Sequence, residues 1–203
     1  MIKRYKQNEI EELAEILKND GVISVPTDTV YGVCARINSV KAYHKLMEVK
    51  MRPVTKLLPV MCADEDQIKS IAVVDENAEK LIRAFMPGPI TLILNKRPEV
   101  PAYINNGQAT IAIRMATSKA IEELIKKVES PIFMSSANQS GKPPSTTLDE
   151  IEKTCPLLDA MMEGNVLFGK GSTIVDCTSE KIQILRLGPI SMEQIKEVIQ
   201  SMD

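Results

Sequence analysis

The chain contains no tryptophan, three phenylalanines, four tyrosines and a single histidine, His44. So few flat rings argue against a base-stacking platform for single-stranded nucleic acid. One histidine, with no G-x-S-x-G elbow elsewhere, argues against a hydrolytic triad. The cysteines, Cys34, Cys62, Cys155 and Cys177, form no C-x-x-C pair. That argues against a structural zinc or thioredoxin-type motif, and they are too sparse for a disulfide framework; scattered thiols suit a reducing cytoplasm. No apolar run is long enough to span a bilayer, and the basic start Met-Ile-Lys-Arg-Tyr-Lys leads into an acidic amphipathic segment rather than a signal-peptide core. The expectation is a cytoplasmic protein with no membrane attachment. A strong net charge is missing too: the formal balance is −2. Any site for phosphate or RNA must therefore be a local patch on a nearly neutral surface.

What is present is ample material for a core. Hydrophobic residues make up 44% of 203, and charged residues 26%. Hydrophobic periodicity predicts helices over about 8–19, 39–50, 64–71, 75–85, 117–129 and 147–154, and a last one from Ser191. Asn8 paired with Glu11, Ser39, Asp75, Thr117 and Ser191 are the expected caps, and Gly21 the stop of the first helix. Short apolar runs predict strands over about 22–25, 57–61, 90–94, 110–114, 131–134, 173–177 and 182–186. Strands and helices alternate, but several strand-to-strand links lack a helix. The fold class is α/β around a mixed sheet, and with no linker-like stretch residues 1–203 read as a single domain. The methionines read as core filler.

Lys50, Arg52 and Lys56 put three cations into seven residues, just downstream of the strand-then-turn Val25-Pro-Thr-Asp-Thr-Val-Tyr-Gly32. Arg offers a planar fork of donors and Lys a mobile point charge, and both suit phosphate oxygens; a solvated surface run is the plainer alternative. The two hydroxyls and the carboxylate of the turn lie beyond a strand end, where ligands bind in open α/β sheets, unless the turn serves only its own backbone. Met134-Ser-Ser-Ala-Asn-Gln-Ser-Gly-Lys-Pro-Pro-Ser145 also follows a buried-type strand. Its small residues and glycine allow backbone N–H groups close to an anion, or it is an ordinary surface loop. Arg114 closes the apolar run Thr110-Ile-Ala-Ile and needs a partner, either a ligand carboxylate or a structural Asp or Glu. Ser172 and Arg186 flank apolar runs and pose the same choice. Gly164-Asn-Val-Leu-Phe-Gly-Lys170 mimics the start of a P-loop, but Gly171 stands where Ser or Thr would hold Mg²⁺ and strand-like residues follow.

Taken in order, these segments resemble the YrdC-like family, the threonylcarbamoyl-AMP synthases. The matching pieces are Pro26-Thr-Asp-Thr-Val-Tyr-Gly32, Lys50-x-Arg52-Pro-x-x-Lys56, Pro87-Gly-Pro-Ile-Thr91, Thr110-Ile-Ala-Ile-Arg114, Ser136-Ala-Asn-x-Ser-Gly141, Ser172-Thr-Ile-Val-Asp176 and Leu185-Arg-x-Gly188. The resemblance implies a twisted mixed β-sheet with surrounding helices and a basic concave cavity. It implies a nucleotidyltransferase that makes threonylcarbamoyl-AMP and pyrophosphate from L-threonine, bicarbonate and ATP. Threonylcarbamoyl-transferase partners would then carry the group to tRNA, with at most a weak tRNA contact here.

The resemblance assigns Lys50, Arg52 and Lys56 to catalysis at the phosphates. It puts Arg52, Lys56, Thr110, Ala137, Ser145 and Arg186 at ATP, and Thr29, Arg114, Ser135 and Ser172 at threonine. Ala137 could offer only its backbone. Mg²⁺ is expected with the triphosphate, and no metal-ligating side chains are assigned. Met61 stands where long-form members carry a histidine near threonine, and the chain resembles the short, single-domain form. The alternative is a double-stranded RNA or tRNA-binding module without catalysis, which the charge balance and scarce aromatics disfavour.

Overall fold

The computed structural model describes residues 1–53, 55–166, 171–179 and 181–200. Its strands are β1 Lys3–Tyr5, β2 Ile23–Pro26, β3 Tyr31–Arg36, β4 Val60–Cys62, β5 Ala72–Val73, β6 Ile90–Lys96, β7 Thr110–Met115, β8 Ile132–Ser136, β9 Ala160–Met162, β10 Thr173–Asp176 and β11 Gln183–Arg186. The helices are α1 Ile10–Lys18, α2 Val40–Val49, α3 Glu65–Ile71, α4 Glu76–Phe85, α5 Lys119–Val128, α6 Leu148–Thr154 and α7 Met192–Gln200. The strands form one sheet in the order β1-β9-β2-β3-β8-β4-β7-β6-β10-β11, with β5 added on β6. Parallel pairs (β4 with β7, β6 with β10) sit among antiparallel ones (β3 with β8, β6 with β7), so the sheet is mixed, as the uneven helix spacing predicts.

The period of two along each strand divides the core between the faces. Val33, Ala35, Val60, Cys62 and Phe133 join the apolar cluster under α2, α3 and α4. Their neighbours Cys34, Met61, Ile132 and Met134 join the other cluster, under α1 and α5. On β6, β7 and β10 the same alternation holds, but the second face is not closed by a helix. Leu92, Ile113 and Val175 face the first cluster, while Thr91, Ile93, Ala112, Arg114 and Ile174 line an open cavity. Helices α1 and α5 cover one half of that face and leave the other half free for chemistry.

The local rules explain most helix ends. Ser39, Asp64, Asp75 and Thr147 each accept a hydrogen bond from the backbone N–H three residues on. Ser191 and Gln194 cap each other's backbone at the start of α7. Two expected caps lie one residue off. Helix α1 starts after Glu9, whose carboxylate accepts from the Lys6 N–H, and Asn8 plays no part in its cap. Helix α5 is capped by Ser118, which leaves the Thr117 hydroxyl to accept from the Asp28 N–H at 3.4 Å. Helix α1 ends with Asp20 in the left-handed region, φ 64°, and the Gly21 N–H bonding Ile16 O at 2.8 Å. Gly21 is required by space: a Cβ there would lie 2.4 Å from Ile16 Cγ2.

Strand β4 begins at Val60 rather than Leu57, because Leu57 turns outward and Pro59 has no N–H to give the ladder. Strands β1, β3, β5 and β9 carry no expectation from the periodicity. Three of them have only two or three residues, and β3 is buried on both faces and lacks alternation. The last four residues of the P-loop-like stretch, 167–170, lie outside the described residues. Among the described residues no helix is long and apolar enough to cross a membrane.

Candidate active site

The cavity has a volume of about 450 Å³ and opens where strand ends and loops converge. Thr27 and Thr29 come from the loop after β2, Ser135 and Ser136 from the end of β8, Arg114 from β7, and Thr91 from the start of β6. Ser172 enters from just before β10, Arg186 from the end of β11, and Arg52 from beyond α2. Three guanidinium groups line it and, among the described residues, no carboxylate does. A chain of net charge −2 thus gathers three arginines at one cavity, one of them paired with Asp28. Arg114 and Arg186 are close enough for Arg114 to help burial depress the basicity of Arg186.

The end of α2 aims the cations. Lys50 is the last residue in helical geometry, and Met51 takes the left-handed region with φ 46°. Met51 N–H bonds Glu48 O at 2.9 Å and Arg52 N–H bonds Met47 O at 2.9 Å, the double closure of a Schellman turn. Lys50 points inward and is 1% exposed. Its ammonium donates to the carbonyls of Ser136 and Asn138. Burial pushes its pKa down to about 8, against the two acceptors that favour the charge. Arg52 lines the cavity, braced by Nε to Lys56 O at 3.0 Å and Nη2 to Leu57 O at 2.5 Å. Lys56 is exposed and reaches Ser140 Oγ at 3.3 Å. The two loops are thereby stitched together, with Ser140 N–H also bonding Lys50 O at 2.9 Å.

Arg114 is buried and held by the turn after β2. Its Nη2 meets Asp28 Oδ1 at 2.8 Å, and its Nη1 donates to Thr29 Oγ1 at 3.2 Å. Thr27 Oγ1 anchors that turn, lying 3.0 Å from Thr29 Oγ1 and donating to Val30 O at 2.6 Å. Of the two partners open to Arg114 in the sequence, the structure contains the protein carboxylate. Across the cavity Ser172 Oγ lies 2.7 Å from Thr91 Oγ1. Arg186 grips Ser172 O with Nε at 3.0 Å and Nη2 at 2.8 Å. Gly171 makes that grip possible, since a Cβ there would stand 2.8 Å from Arg186 Nη2.

Of the residues named from the sequence, Thr29, Arg52, Arg114, Ser135, Ser172 and Arg186 share this one cavity. Lys50, Lys56, Thr110, Ala137 and Ser145 do not line it in this structure. Ala137 N–H bonds Tyr31 O at 2.7 Å and its carbonyl accepts from Ser145 N–H at 3.0 Å. Ser145 is buried with its hydroxyl 3.2 Å from Thr154 Oγ1. Thr110 opens β7 opposite Asn95, and its carbonyl accepts from Asn105 Nδ2 at 2.8 Å. Met61 is fully buried in the α1/α5 cluster, so this chain has no polar group at that point. The sequence pointed to both hydroxyls of the turn, Thr27 and Thr29, but it missed Thr91 and did not say which carboxylate would pair with Arg114. A hydroxyl opening the apolar strand Ile90–Leu94 was the available signal for Thr91.

The sequence profile of the Sua5/YciO/YrdC family, described as "Telomere recombination", matches residues 15–188. The chain belongs to this family. Similar members include the threonylcarbamoyl-AMP synthase of Pyrococcus abyssi, 33% identical, matched over 97% of this chain and 59% of its own length. A Methanocaldococcus jannaschii protein provisionally given the same name is 34% identical over 96% of both chains. The chain therefore spans under two thirds of the P. abyssi relative and nearly all of the M. jannaschii one. Among solved structures, P. abyssi Sua5 complexed with L-threonine superposes with a TM-score of 0.91 at 31% identity, covering 98% of this chain and 61% of that one. E. coli YciO superposes with a TM-score of 0.86 at 23% identity over 96% of this chain, a likeness of fold. The family's fold is thus the mixed sheet described above.

Proposed function

We propose that this chain is an L-threonylcarbamoyladenylate synthase, a nucleotidyltransferase that uses L-threonine, bicarbonate and ATP, with residues 1–203 as one catalytic domain. The observation that carries the reading is the convergence of Thr29, Arg114, Ser135 and Ser172 with Arg52 and Arg186 in one cavity of a chain similar to threonylcarbamoyl-AMP synthases. The two groups divide the cavity by chemistry. Arg114 with the hydroxyls of Thr29, Ser135 and Ser172 suits a small hydroxylated amino acid. Arg52 and Arg186, with the exposed Lys56 on the same loop as Arg52, suit phosphate.

The reaction needs two bonds to form. The neutral threonine amine attacks the carbon of bicarbonate with loss of water, or of CO₂ with loss of the nitrogen's proton, giving a carbamate. A carbamate oxygen then attacks the α-phosphorus, and pyrophosphate leaves. Negative charge on the phosphoryl oxygens rises during displacement, and guanidinium groups already fixed in place stabilise it without reorganising. No enzyme nucleophile is required. Lys50 supports this from behind, holding the Ser136–Asn138 loop and leaving Arg52 as the cation that reaches inward. Among the described residues there is no group of three or more His, Cys, Asp or Glu side chains suited to a metal. Mg²⁺ is expected to enter with ATP as part of the substrate and to help neutralise the triphosphate. Transfer of the threonylcarbamoyl group to tRNA falls to partner proteins, in the cytoplasm.

The test is release of pyrophosphate from ATP that depends on both L-threonine and bicarbonate. A folded sample with Mg²⁺ that releases none, and binds tRNA with a steep salt dependence, overturns the reading in favour of an RNA-binding module.

A further inference from the structure

We infer that Asp28 is the group that makes this cavity demand an amine: its carboxylate is the partner of the substrate's ammonium, and it excludes carboxylic acids that lack one. The inference rests on the amino-acid reading of the site and adds a binding residue to it.

Asp28 and Arg114 form an ion pair at 2.8 Å, with side chains 10% and 9% exposed. Among the described residues, Asp28 Oδ2 and Arg114 Nε are both buried without a hydrogen-bond partner. Buried charged groups with unmet valences are costly, so one spare acceptor beside one spare donor is a pair with capacity for more. Arg114 lines the cavity, and Asp28 sits between two lining residues, Thr27 and Thr29, its carboxylate on Arg114 just behind the lining of the free protein. Its backbone is fixed from behind by the Thr117 hydroxyl.

A zwitterionic amino acid carries opposite charges on neighbouring atoms. Placed on the Asp28–Arg114 dipole, its carboxylate meets the guanidinium and its ammonium meets the aspartate, so each of the four charges keeps an opposite neighbour. A carboxylate without an amine must instead compete with Asp28 for Arg114, and leaves two anions on one cation in a poorly hydrated place. Selectivity then comes from repulsion of the wrong ligand as much as from attraction of the right one. In the free protein Asp28 takes the place on Arg114 that the substrate carboxylate takes in the complex.

The experiment compares L-threonine with 3-hydroxybutyrate, which is threonine without its amine, by calorimetry on wild type and Asp28→Asn. In wild type, threonine should bind at least about a hundredfold tighter. In Asp28→Asn, threonine should weaken by about tenfold or more while 3-hydroxybutyrate tightens, because its competitor for Arg114 is gone. Equal weakening of both ligands means that Asp28 merely holds Arg114 in place, and overturns the inference. So does wild-type protein that binds both ligands alike, a result that needs no variant. Wild-type protein that binds neither ligand overturns the amino-acid reading of the cavity itself, a distinguishable failure.

Discussion

Lys50 and Arg52 leave the same helix end for different places, one to buried carbonyls and one to the cavity, with Met51 at φ 46° between them. Lys50 is spent inside, on the carbonyls of Ser136 and Asn138. Arg52 is delivered to the cavity. A run of cations that looks uniform in sequence is therefore split by one residue of backbone into a lysine bonded to buried loop carbonyls and an arginine that lines the cavity. The Schellman closure through Met47 and Glu48 holds the split in place.

A methionine at the left-handed position bears a steric cost that glycine does not. Met51 is exposed, so little buried surface is lost on truncation. Met51→Gly should stabilise the fold by about 0.5–1 kcal/mol, the relief of strain less the added freedom of the unfolded chain. Urea unfolding checks it. A variant less stable than wild type would mean that the Met51 side chain contributes packing not visible in its contacts.

Arg52→Ala and Lys56→Ala should separate chemistry from folding. Arg52 bonds only carbonyls of its own loop, and Lys56 is exposed. Loss of either should lower threonine-dependent pyrophosphate release by about 100- to 1000-fold for Arg52 and less for Lys56, with the melting temperature nearly unchanged. Near-wild-type turnover in Arg52→Ala would remove it from the phosphate site.

The contrast between Arg114 and Lys50 shows what a sequence can and cannot convey. Arg114 ends an apolar strand, so its burial and its need for a partner follow from the pattern. Which partner it takes depends on Asp28, which lies 86 residues away in sequence. Lys50 gives no such warning, since an amphipathic helix ending in Lys-Met-Arg normally leaves its last lysine in water. Its burial comes from tertiary contact with the loop after β8. The α/β class and the caps at Ser39 and Asp75 are local properties and were readable. The short strands β1 and β9 exist because neighbours recruit them: Lys3–Tyr5 pairs with Ala160–Met162 with little propensity of its own.

The four cysteines are buried and free, and burial raises the pKa of each, that of Cys177 to about 12. Thiolate is the reactive form. The native protein should resist iodoacetamide near pH 8 and react at all four sites once unfolded, as mass spectrometry would show. Cys155 should be the first to react as conditions are made more alkaline, because the Thr154 hydroxyl, which donates to its sulfur at 3.9 Å, opposes its burial shift. Labelling of Cys34 ahead of Cys155 would contradict that order.

Lys50 has a pH signature that separates a buried ammonium from a surface charge. Its folded pKa lies near 8, below the ordinary 10.5. A lysine depressed on folding binds fewer protons in the native state than in the unfolded one between those values, so its contribution to stability rises with pH across that window. Below pH 8 the cost of burying the ammonium is fully present; above it the native side chain becomes neutral and still donates to both carbonyls. Lys50→Met removes those donors and should destabilise the fold by about 1.5–3 kcal/mol at neutral pH. The gap between wild type and variant should then widen by up to about 3 kcal/mol from roughly pH 8 to pH 10.5. Taking the difference cancels most of the opposite slope from the buried thiols, which favour the native state less as the unfolded chain ionises. Urea unfolding of both proteins at several pH values measures the gap, and one that stays constant or narrows would place the Lys50 ammonium in water.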